Sequence, residues 1–364
     1  MTEETAISVG SIYQAIPQLE INGVANETIQ ESLVAMQVKE TEGGLCSAEL
    51  CFFNTANIQG QGVGFGFESS AETELALGSR IKIYCGDNND PVEIFSGVIS
   101  ALEWVREIDQ QPQLVVLAED GLQQLRMMRK TQLHPAATLK AMIENILREH
   151  GLNNHIDGLQ HSLDAQLQYN ETDLGFIRRL IQRYDADIQM NHGQVVVKSR
   201  AAIQQNQITL ELNSQLLSCR LCADLAHQVN QVTYAGWDSE QGQQIAVQSN
   251  ANADLGPGEG RIGADYLTQY FANRQEHLCR TSVQNESEAQ ILVNSAYAKR
   301  ARGFVRAQGK SLGNPNLKVG SHIQLNGIGE RFENQYYVIE VTHYFTTAGG
   351  YLTEFVAQSA YFGG

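Results

Sequence analysis

The chain has 364 residues, of which 42% are hydrophobic and 18% charged, and no apolar run approaches the roughly 18 residues that cross a bilayer. Its formal net charge is -16, which argues against general nucleic-acid binding, since phosphate contacts need a basic face. The first residues carry Glu3 and Glu4 and lack the basic and apolar regions of a secretory signal, so we expect cytoplasmic synthesis.

Charge is unevenly distributed along the chain. Residues 1–75, the acidic lobe, contain eleven Glu and no Asp, with Lys39 as their one basic residue. Residues 299–310, the basic stripe, contain Lys299, Arg300, Arg302, Arg306 and Lys310. The stripe has two readings, the cationic end of a helix or a contact surface.

The first 120 residues are predicted to be antiparallel β-structure. Asn22-Gly23 is a hairpin turn signal, and six segments have strand character. They are LEINGV, ESLVAMQVKE, GLCSAELCFF, GSRIKIYCGD, VEIFSGVISALEWV and QLVVLAED. Six such strands indicate a small barrel or a sandwich.

Helical periodicity begins near residue 131. Apolar residues recur at helical spacing between Pro135 and Gly151, and again within YNETDLGFIRRLIQRYDADI, residues 169–188. For the second helix we predict Asn170 as N-cap, with Arg179 and Arg183 on the polar side. The predicted buried stripes are Leu139, Met142, Ile143, Ile146 and Leu147, then Leu174, Ile177, Leu180, Ile181 and Tyr184. Two strands follow, so residues 131–205 are expected to form an inserted α/β module.

Strand character returns at residue 206 and continues to the end of the chain. Two helical patterns interrupt it, one around Tyr266–Phe271 and one over Ser287–Arg302 that ends at Gly303. We predict a first β domain at 1–130 and a second at 206–364, which carries a helical insertion at about 261–303.

No constellation in the sequence predicts catalysis, a cofactor or a metal. Cys219 and Cys222 have CxxC spacing, but they lie in a predicted strand, where residues three apart face opposite sides. Asp185 and Asp187 could form an acid/base pair, yet they follow a helix, where solvated carboxylates are common. We therefore expect a protein that is not an enzyme, with reduced cysteines.

Four stretches together resemble the phage late control protein D group. They are VEIFSGVISALEWV, VVLAEDGLQQLRMMRKTQ, LQYNETDLGFIRRLIQRYDADIQM and KVGSHIQLNGIGERFENQYYVIEVTHYF. The most specific match is Tyr-x-Glu-Thr-Asp-x-x-Phe-Ile-x-x-Leu, at Tyr169 to Leu180. That group includes the hub portion of the VgrG spike of type VI secretion and the baseplate hubs of contractile phage tails.

The resemblance implies a β-rich α+β fold with two tube-like β-barrel domains, and a homotrimer that acts as a symmetry adaptor. Six barrels around one axis would stack on a hexameric inner tube, while the threefold side would meet a trimeric spike and other baseplate components. Because the sequence stops at Gly364 without a spike domain, we expect the spike to be a separate chain. Membrane insertion is not expected of the hub, which would assemble in the cytoplasm into a tail-like particle.

The charge distribution suggests how protomers meet. A cyclic trimer brings one face of a protomer against a different face of the next. We hypothesise that the acidic lobe contacts the basic stripe of a neighbour. The candidate intersubunit or partner contacts are Lys299, Arg300, Arg302, Arg306, Arg179 and Arg183.

Two other functions compete with the hub. One is a free-standing binding module, such as an adhesin or a carrier of toxic cargo, and the other is a baseplate hydrolase. A hub is expected to co-purify with tube and spike proteins, whereas a hydrolase is expected to be an active monomer with a pocket.

Overall fold

The computed structural model describes residues 16–58, 62–64, 67, 75–87, 89–238, 241–249, 253–279, 283 and 285–363. Strands dominate these ranges, as the sequence predicts. Within them, no helix combines the length and the apolar character that a membrane span requires.

A first β unit occupies the N-terminal third. Its elements are β1 (Gln18–Ile21), β2 (Val24–Ala25), α1 (Glu27–Glu31), β3 (Leu33–Thr41), β4 (Ser47–Phe53), β5 (Ala56–Ile58), β6 (Gly62–Gly64), β7 (Arg80–Asp87), β8 (Asp90–Val105) and β9 (Gln113–Glu119). All six predicted strand segments are confirmed. The Asn22-Gly23 turn is confirmed too, since both residues have positive φ angles of 51° and 85°, as a two-residue hairpin turn requires.

The α/β module follows. Its elements are a 3-10 helix (Gly121–Arg126), β10 (Arg129–His134), β11 (Ala137–Thr138), α2 (Leu139–Glu149), β12 (Asn154–Ile156), β13 (Ser162–Leu163), β14 (Gln166–Thr172), α3 (Asp173–Ile181), a 3-10 helix (Gln182–Tyr184), β15 (Ala186–Asn191), β16 (Gln194–Ser199) and a 3-10 helix (Arg200–Ala202). Both predicted apolar stripes are buried and form one hydrophobic core. Helical periodicity thus located the two helices correctly.

The remaining elements build a second β unit and a helical part. They are β17 (Gln207–Glu211), β18 (Leu216–Ala223), β19 (Gln231–Asp238), β20 (Gln243–Gln248), β21 (Arg261–Ile262), α4 (Gly263–Tyr270), β22 (Gln275–Leu278), α5 (Glu286–Arg302), β23 (Val305–Leu312), β24 (His322–Asn326), β25 (Asn334–Thr346), β26 (Gly350–Ser359) and β27 (Tyr361–Phe362). Helix α5 packs its buried Ala289 and Val293 against the small sheet β20-β19-β22, which forms a separate core. Gly303 ends α5, as predicted.

One sheet, antiparallel except for the parallel pair β17-β24, runs through both β units. Its strand order is β18-β23-β26-β25-β3-β4-β9-β8-β7-β1-β2. Outside this order, β24 pairs with β25 on one side and with β17 on the other. Strand β25 joins the units because its first half pairs with β24 and its second half pairs with β3, from Glu340 opposite Thr41 to Thr346 opposite Ala35. Among the described strands the path is open, with β18 and β2 at its ends.

The β25-β26 hairpin contributes to two hydrophobic cores. Val338, Val341 and Phe355 lie in the core of the second unit, whereas Phe345 and Tyr351 lie in the core of the first. The sequence segment 206–364 therefore completes a core that begins near residue 19. This shared hairpin fixes the two β units against each other.

Candidate functional site at the charged junction

Residues Tyr169–Asp173 lead from β14 into α3. The Thr172 hydroxyl caps the helix by accepting a hydrogen bond from the Gly175 amide at 3.1 Å. The prediction of Asn170 as N-cap is wrong. Asn170 has a φ angle of 49° and lies where the register of the β10-β14 ladder shifts, and its short polar side chain tolerates this left-handed conformation.

Asp173, the first residue of α3, is buried in a polar network. Its carboxylate accepts hydrogen bonds from Lys130 Nζ at 2.7 Å, His150 Nε2 at 2.7 Å and Gln168 Nε2 at 2.9 Å. Burial alone would raise the pKa of Asp173, but these hydrogen bonds outweigh it and hold the pKa below its usual value. The network ties the β10-β14 ribbon to α2 and α3.

The turn between β3 and β4 is held by the α/β module. Arg178 donates from Nε to the Gly43 carbonyl at 2.5 Å and from Nη2 to the Gly44 carbonyl at 2.7 Å. The Gly43 amide in turn donates to Asp187 Oδ1 at 2.6 Å. Gly44 has a φ angle of 75°, and a Cβ atom there would lie 2.7 Å from the Ile188 carbonyl oxygen. Only glycine fits this close approach between the first β unit and the module.

Asp187 is a buried carboxylic acid at this contact. Burial, with a smaller contribution from nearby Glu42, raises its pKa to about 6, although Gly43 and Gln189 donate hydrogen bonds to its oxygens. The side chain is only 4% exposed. The interpretation of Asp187 as a solvated carboxylate is therefore wrong.

Two buried arginines extend the junction. Arg302, at the end of α5, forms a bidentate ion pair with Asp185, with Nη1–Oδ2 and Nη2–Oδ1 distances of 2.7 and 2.5 Å. Arg200 Nε lies 3.0 Å from Glu42 Oε1, and its guanidinium lies 4.2 Å from the Tyr337 ring centre. These contacts connect α5, the module and both β units.

A cleft of about 430 Å³ lies among these charges. Its walls come from the β3-β4 turn, α3, residues 185–187, the end of α5 and β26. Acids and bases in the walls pair with each other, and none of the cleft contacts forms a nucleophile with a positioned base. In the described part of the chain, no cluster of three His, Cys, Asp or Glu side chains is placed to bind a metal ion. The chemistry of the junction is that of a structural joint.

Comparison with known proteins places this architecture in a family. A family model described as the Alg8 N-terminal domain matches residues 25–347. The chain belongs to the Alg8 N-terminal domain family. The late control protein D and VgrG hub group is not the family of this model, so the relation to that group stays a proposal. Among curated protein sequences there is no significant match.

Solved structures similar to this Alg8 N-terminal domain protein share its fold over nearly its whole length. The 43 kDa tail protein of prophage MuSo2 from Shewanella oneidensis has a TM-score of 0.67 and 11% identity, with 94% of this chain and 98% of that chain covered. The tail protein from Neisseria meningitidis MC58 has a TM-score of 0.64 and 8% identity, with 94% of this chain and 96% of that chain covered. A component of the E. coli type VI secretion system, itself similar to T4 bacteriophage tail proteins, has a TM-score of 0.60 and 13% identity. The match covers 94% of this chain and 78% of that chain.

The basic stripe of this Alg8 N-terminal domain protein is mostly engaged within the chain. Lys299 donates to the Gln182 carbonyl, Arg300 pairs with Glu276 through two hydrogen bonds, and Lys310 lies 3.1 Å from Glu354. Arg302 is buried in the Asp185 pair, while Arg306 is exposed on β23. The stripe therefore presents less free charge than its sequence suggests, and its intersubunit role stays a prediction.

The candidate arginines of α3 and of the 3-10 helix after it also have internal partners. Arg179 binds Glu171 through Nε and Nη2 and lies 5.1 Å from the Phe176 ring centre. Arg183 Nη2 lies 3.6 Å from Glu288 Oε1 on α5. Of the acidic lobe, residues 1–15, 59–61, 65, 66 and 68–74 lie outside the described residues.

Sequence reasoning missed the residues that build the junction. Arg178, Arg200, Asp187 and Glu42 meet from positions far apart in the chain, and the Gly43 to Asp187 bond alone spans 144 residues. The available signal was local: adjacent glycines, Gly43 and Gly44, after a strand mark a close backbone approach as readily as a turn.

Proposed function

We propose that this protein is the baseplate or spike hub of a contractile injection system or phage tail, with a structural and not a catalytic role. The carrying observation is that its fold corresponds end to end with a prophage tail protein, with 94% and 98% of the two chains covered. Similarity to a type VI secretion component and to a chain of a Francisella PdpA-VgrG complex supports the same assignment.

The proposed domain arrangement is two tube-like β-barrel domains, 1–130 and 206–364, separated by the module at 131–205, with a helical insertion at about 261–303. In support, the described residues contain a separate hydrophobic core for each β unit, for the module and for the helical part. Each β unit would complete its barrel against neighbouring strands in the assembly.

Three copies of such a chain would present six β units around one axis. That ring matches a hexameric inner tube, while its threefold symmetry matches a trimeric spike. The hub would then be a symmetry adaptor between the two, with other baseplate proteins around it. The rigid joint at Asp185, Asp187, Arg200 and Arg302 suits this role, because load passes between the β units only if their arrangement is fixed.

Co-expression with candidate tube and spike proteins tests the proposal. A tagged hub is expected to capture both, and capture of the tube is expected to require assembled trimer. A chain that captures neither protein, and instead binds a toxic cargo or a cell surface as a monomer, would establish the free-standing binding module. Hydrolysis of cell-wall polymer by the purified chain would establish an enzyme.

A further inference from the structure

Large apolar side chains are exposed on the β10-β14 ribbon and in the turn that precedes it. Leu133 and Leu167 lie opposite each other in the ladder and are 63% and 53% exposed. Tyr169 is 71% exposed, as is Met127, and Met128 is 65% exposed. Large apolar side chains exposed together on a soluble protein mark an interaction site.

Tyr169 differs from the residues that follow it in the same segment, which have contacts within the module. Glu171 pairs with Arg179, Thr172 caps α3, and Asp173 lies in the buried polar network. Tyr169, by contrast, projects from the ribbon on the side of Leu167. An exposed aromatic residue on a well-fixed ribbon is well suited to contact a partner, because little conformational entropy is lost on binding.

The ribbon and the turn before it carry basic residues. Its first strand and the preceding turn, residues 126–134, contain Arg126, Arg129 and Lys130 and no acid. Arg126 and Lys130 have carboxylate partners, whereas Arg129 donates to the neutral Asn170 carbonyl and is exposed. Arg129 therefore offers a positive charge beside the apolar side chains.

A complementary surface lies at the β2 edge of the large sheet, to which the β10-β14 ribbon does not belong. Residues 16–31 contain Glu20, Glu27 and Glu31 and no basic residue. Glu27 and Glu31 are exposed on α1, beside the exposed apolar residues Val24 (57%) and Ile16 (46%). Strand β2 ends the sheet, and among the described strands its outer edge has no neighbour, so the edge also offers backbone groups.

We propose that the ribbon face of one copy (residues 126–134 and 166–169) binds the acidic sheet edge (residues 16–31) of a second copy of this chain. The pairing joins two different surfaces, which is the heterologous contact that a cyclic trimer needs. It rests on the proposed hub function, and it replaces the basic stripe, whose charges are mostly paired internally, with the ribbon as the partner of the acidic residues.

Charge exchange tests the contact. Arg129→Glu alone, and Glu27→Lys with Glu31→Lys, are each expected to weaken trimer formation by about tenfold at low salt, and their combination in one chain is expected to restore it. Arg106→Glu, an exposed arginine of the first β unit, is the matched control and leaves the trimer unchanged. Trimer fraction is measured by mass photometry, with circular dichroism to verify folding.

A photo-crosslinker gives a second readout in an otherwise native chain. With p-benzoylphenylalanine in place of Tyr169, irradiation is expected to yield intermolecular crosslinks to peptides within residues 16–31. Trp237→p-benzoylphenylalanine, at a residue 63% exposed on β19, is the control and gives no such crosslink.

The outcomes separate the two proposals. A trimeric wild type whose assembly is unaffected by the charge changes, or whose position 169 crosslinks to tube, spike or another region, overturns the ribbon contact and leaves the hub intact. A wild type that stays monomeric at all concentrations and with tube and spike present overturns the hub, and the ribbon contact with it.

Discussion

At the scale of single residues, the charges of the junction pair within the chain's own fold. Asp187, Arg178, Arg200 and Arg302 could not be assigned to a junction from the sequence, because their partners lie on segments that only the tertiary structure brings together. Local patterns report exposure on helices and strands, and a carboxylate after a helix has the same pattern whether water or a glycine amide binds it.

Asp187 predicts a pH dependence of stability. Its pKa is raised to about 6 in the folded protein, so the folded state holds a proton that the unfolded state has released, and the free energy of unfolding falls as pH rises through this range. From pH 5 to pH 8 the loss from this group is about 1 kcal/mol. Urea unfolding of Asp187→Asn at several pH values is expected to lack this part of the slope.

Asp157→Asn is the control for that measurement, since Asp157 is exposed. It is expected to keep the slope of the wild type. Identical slopes for the wild type and Asp187→Asn would show that Asp187 does not titrate in this range.

The two arginine pairs of α5 are expected to differ in strength. Arg302→Ala leaves Asp185 without its bidentate partner and is expected to cost about 3 to 5 kcal/mol of unfolding free energy, because the pair is buried. Arg300→Ala removes a bidentate pair with Glu276 that is largely exposed, at a cost below about 1 kcal/mol. Denaturant unfolding of both variants measures the two costs. Equal losses of unfolding free energy would contradict the assignment of Arg302 to a buried joint.

At the scale of elements, sequence periodicity predicted well which helices and strands exist and which type each of them is. The six strand segments of the first unit, the stripes of α2 and α3, and the end of α5 at Gly303 all follow from local alternation, helical spacing and capping chemistry. The first residue of α3 could not be predicted from these local patterns, because Asn170, Thr172 and Asp173 are all acceptable N-cap residues. Pairing of β14 with β10 extends the strand to Thr172, which selects among them.

The cap of α3 can be tested directly. Thr172→Ala removes the hydroxyl that accepts from the Gly175 amide and is expected to cost about 1 kcal/mol of unfolding free energy. Asn170→Gly, at a positive φ angle, is expected to leave stability unchanged or to raise it slightly. Thermal unfolding measures both, and the opposite order would return the N-cap to Asn170.

At the scale of the whole molecule, the sheet that the two β units share could not be predicted from the sequence. Strand β25 is buried over most of its length, and nothing local reveals that its second half pairs with β3, some 300 residues earlier. The division of the chain into two β domains around a module stays a proposal. Their union through one hairpin depends on long-range pairing.

This union predicts that the two β units unfold together. Phe345 lies on β25 of the second unit but packs in the first core, so Phe345→Ala is expected to cost about 3 to 5 kcal/mol. Hydrogen exchange is expected to accelerate in both β4 and β23. Acceleration confined to one unit would mean that the hairpin does not couple them.

Native mass spectrometry of the purified chain tests the proposed trimeric hub. We expect a species of three copies of the 40.2 kDa chain, which binds six copies of a tube protein on one side. A chain that is monomeric or dimeric at micromolar concentration, and that stays so when tube and spike proteins are added, would contradict it.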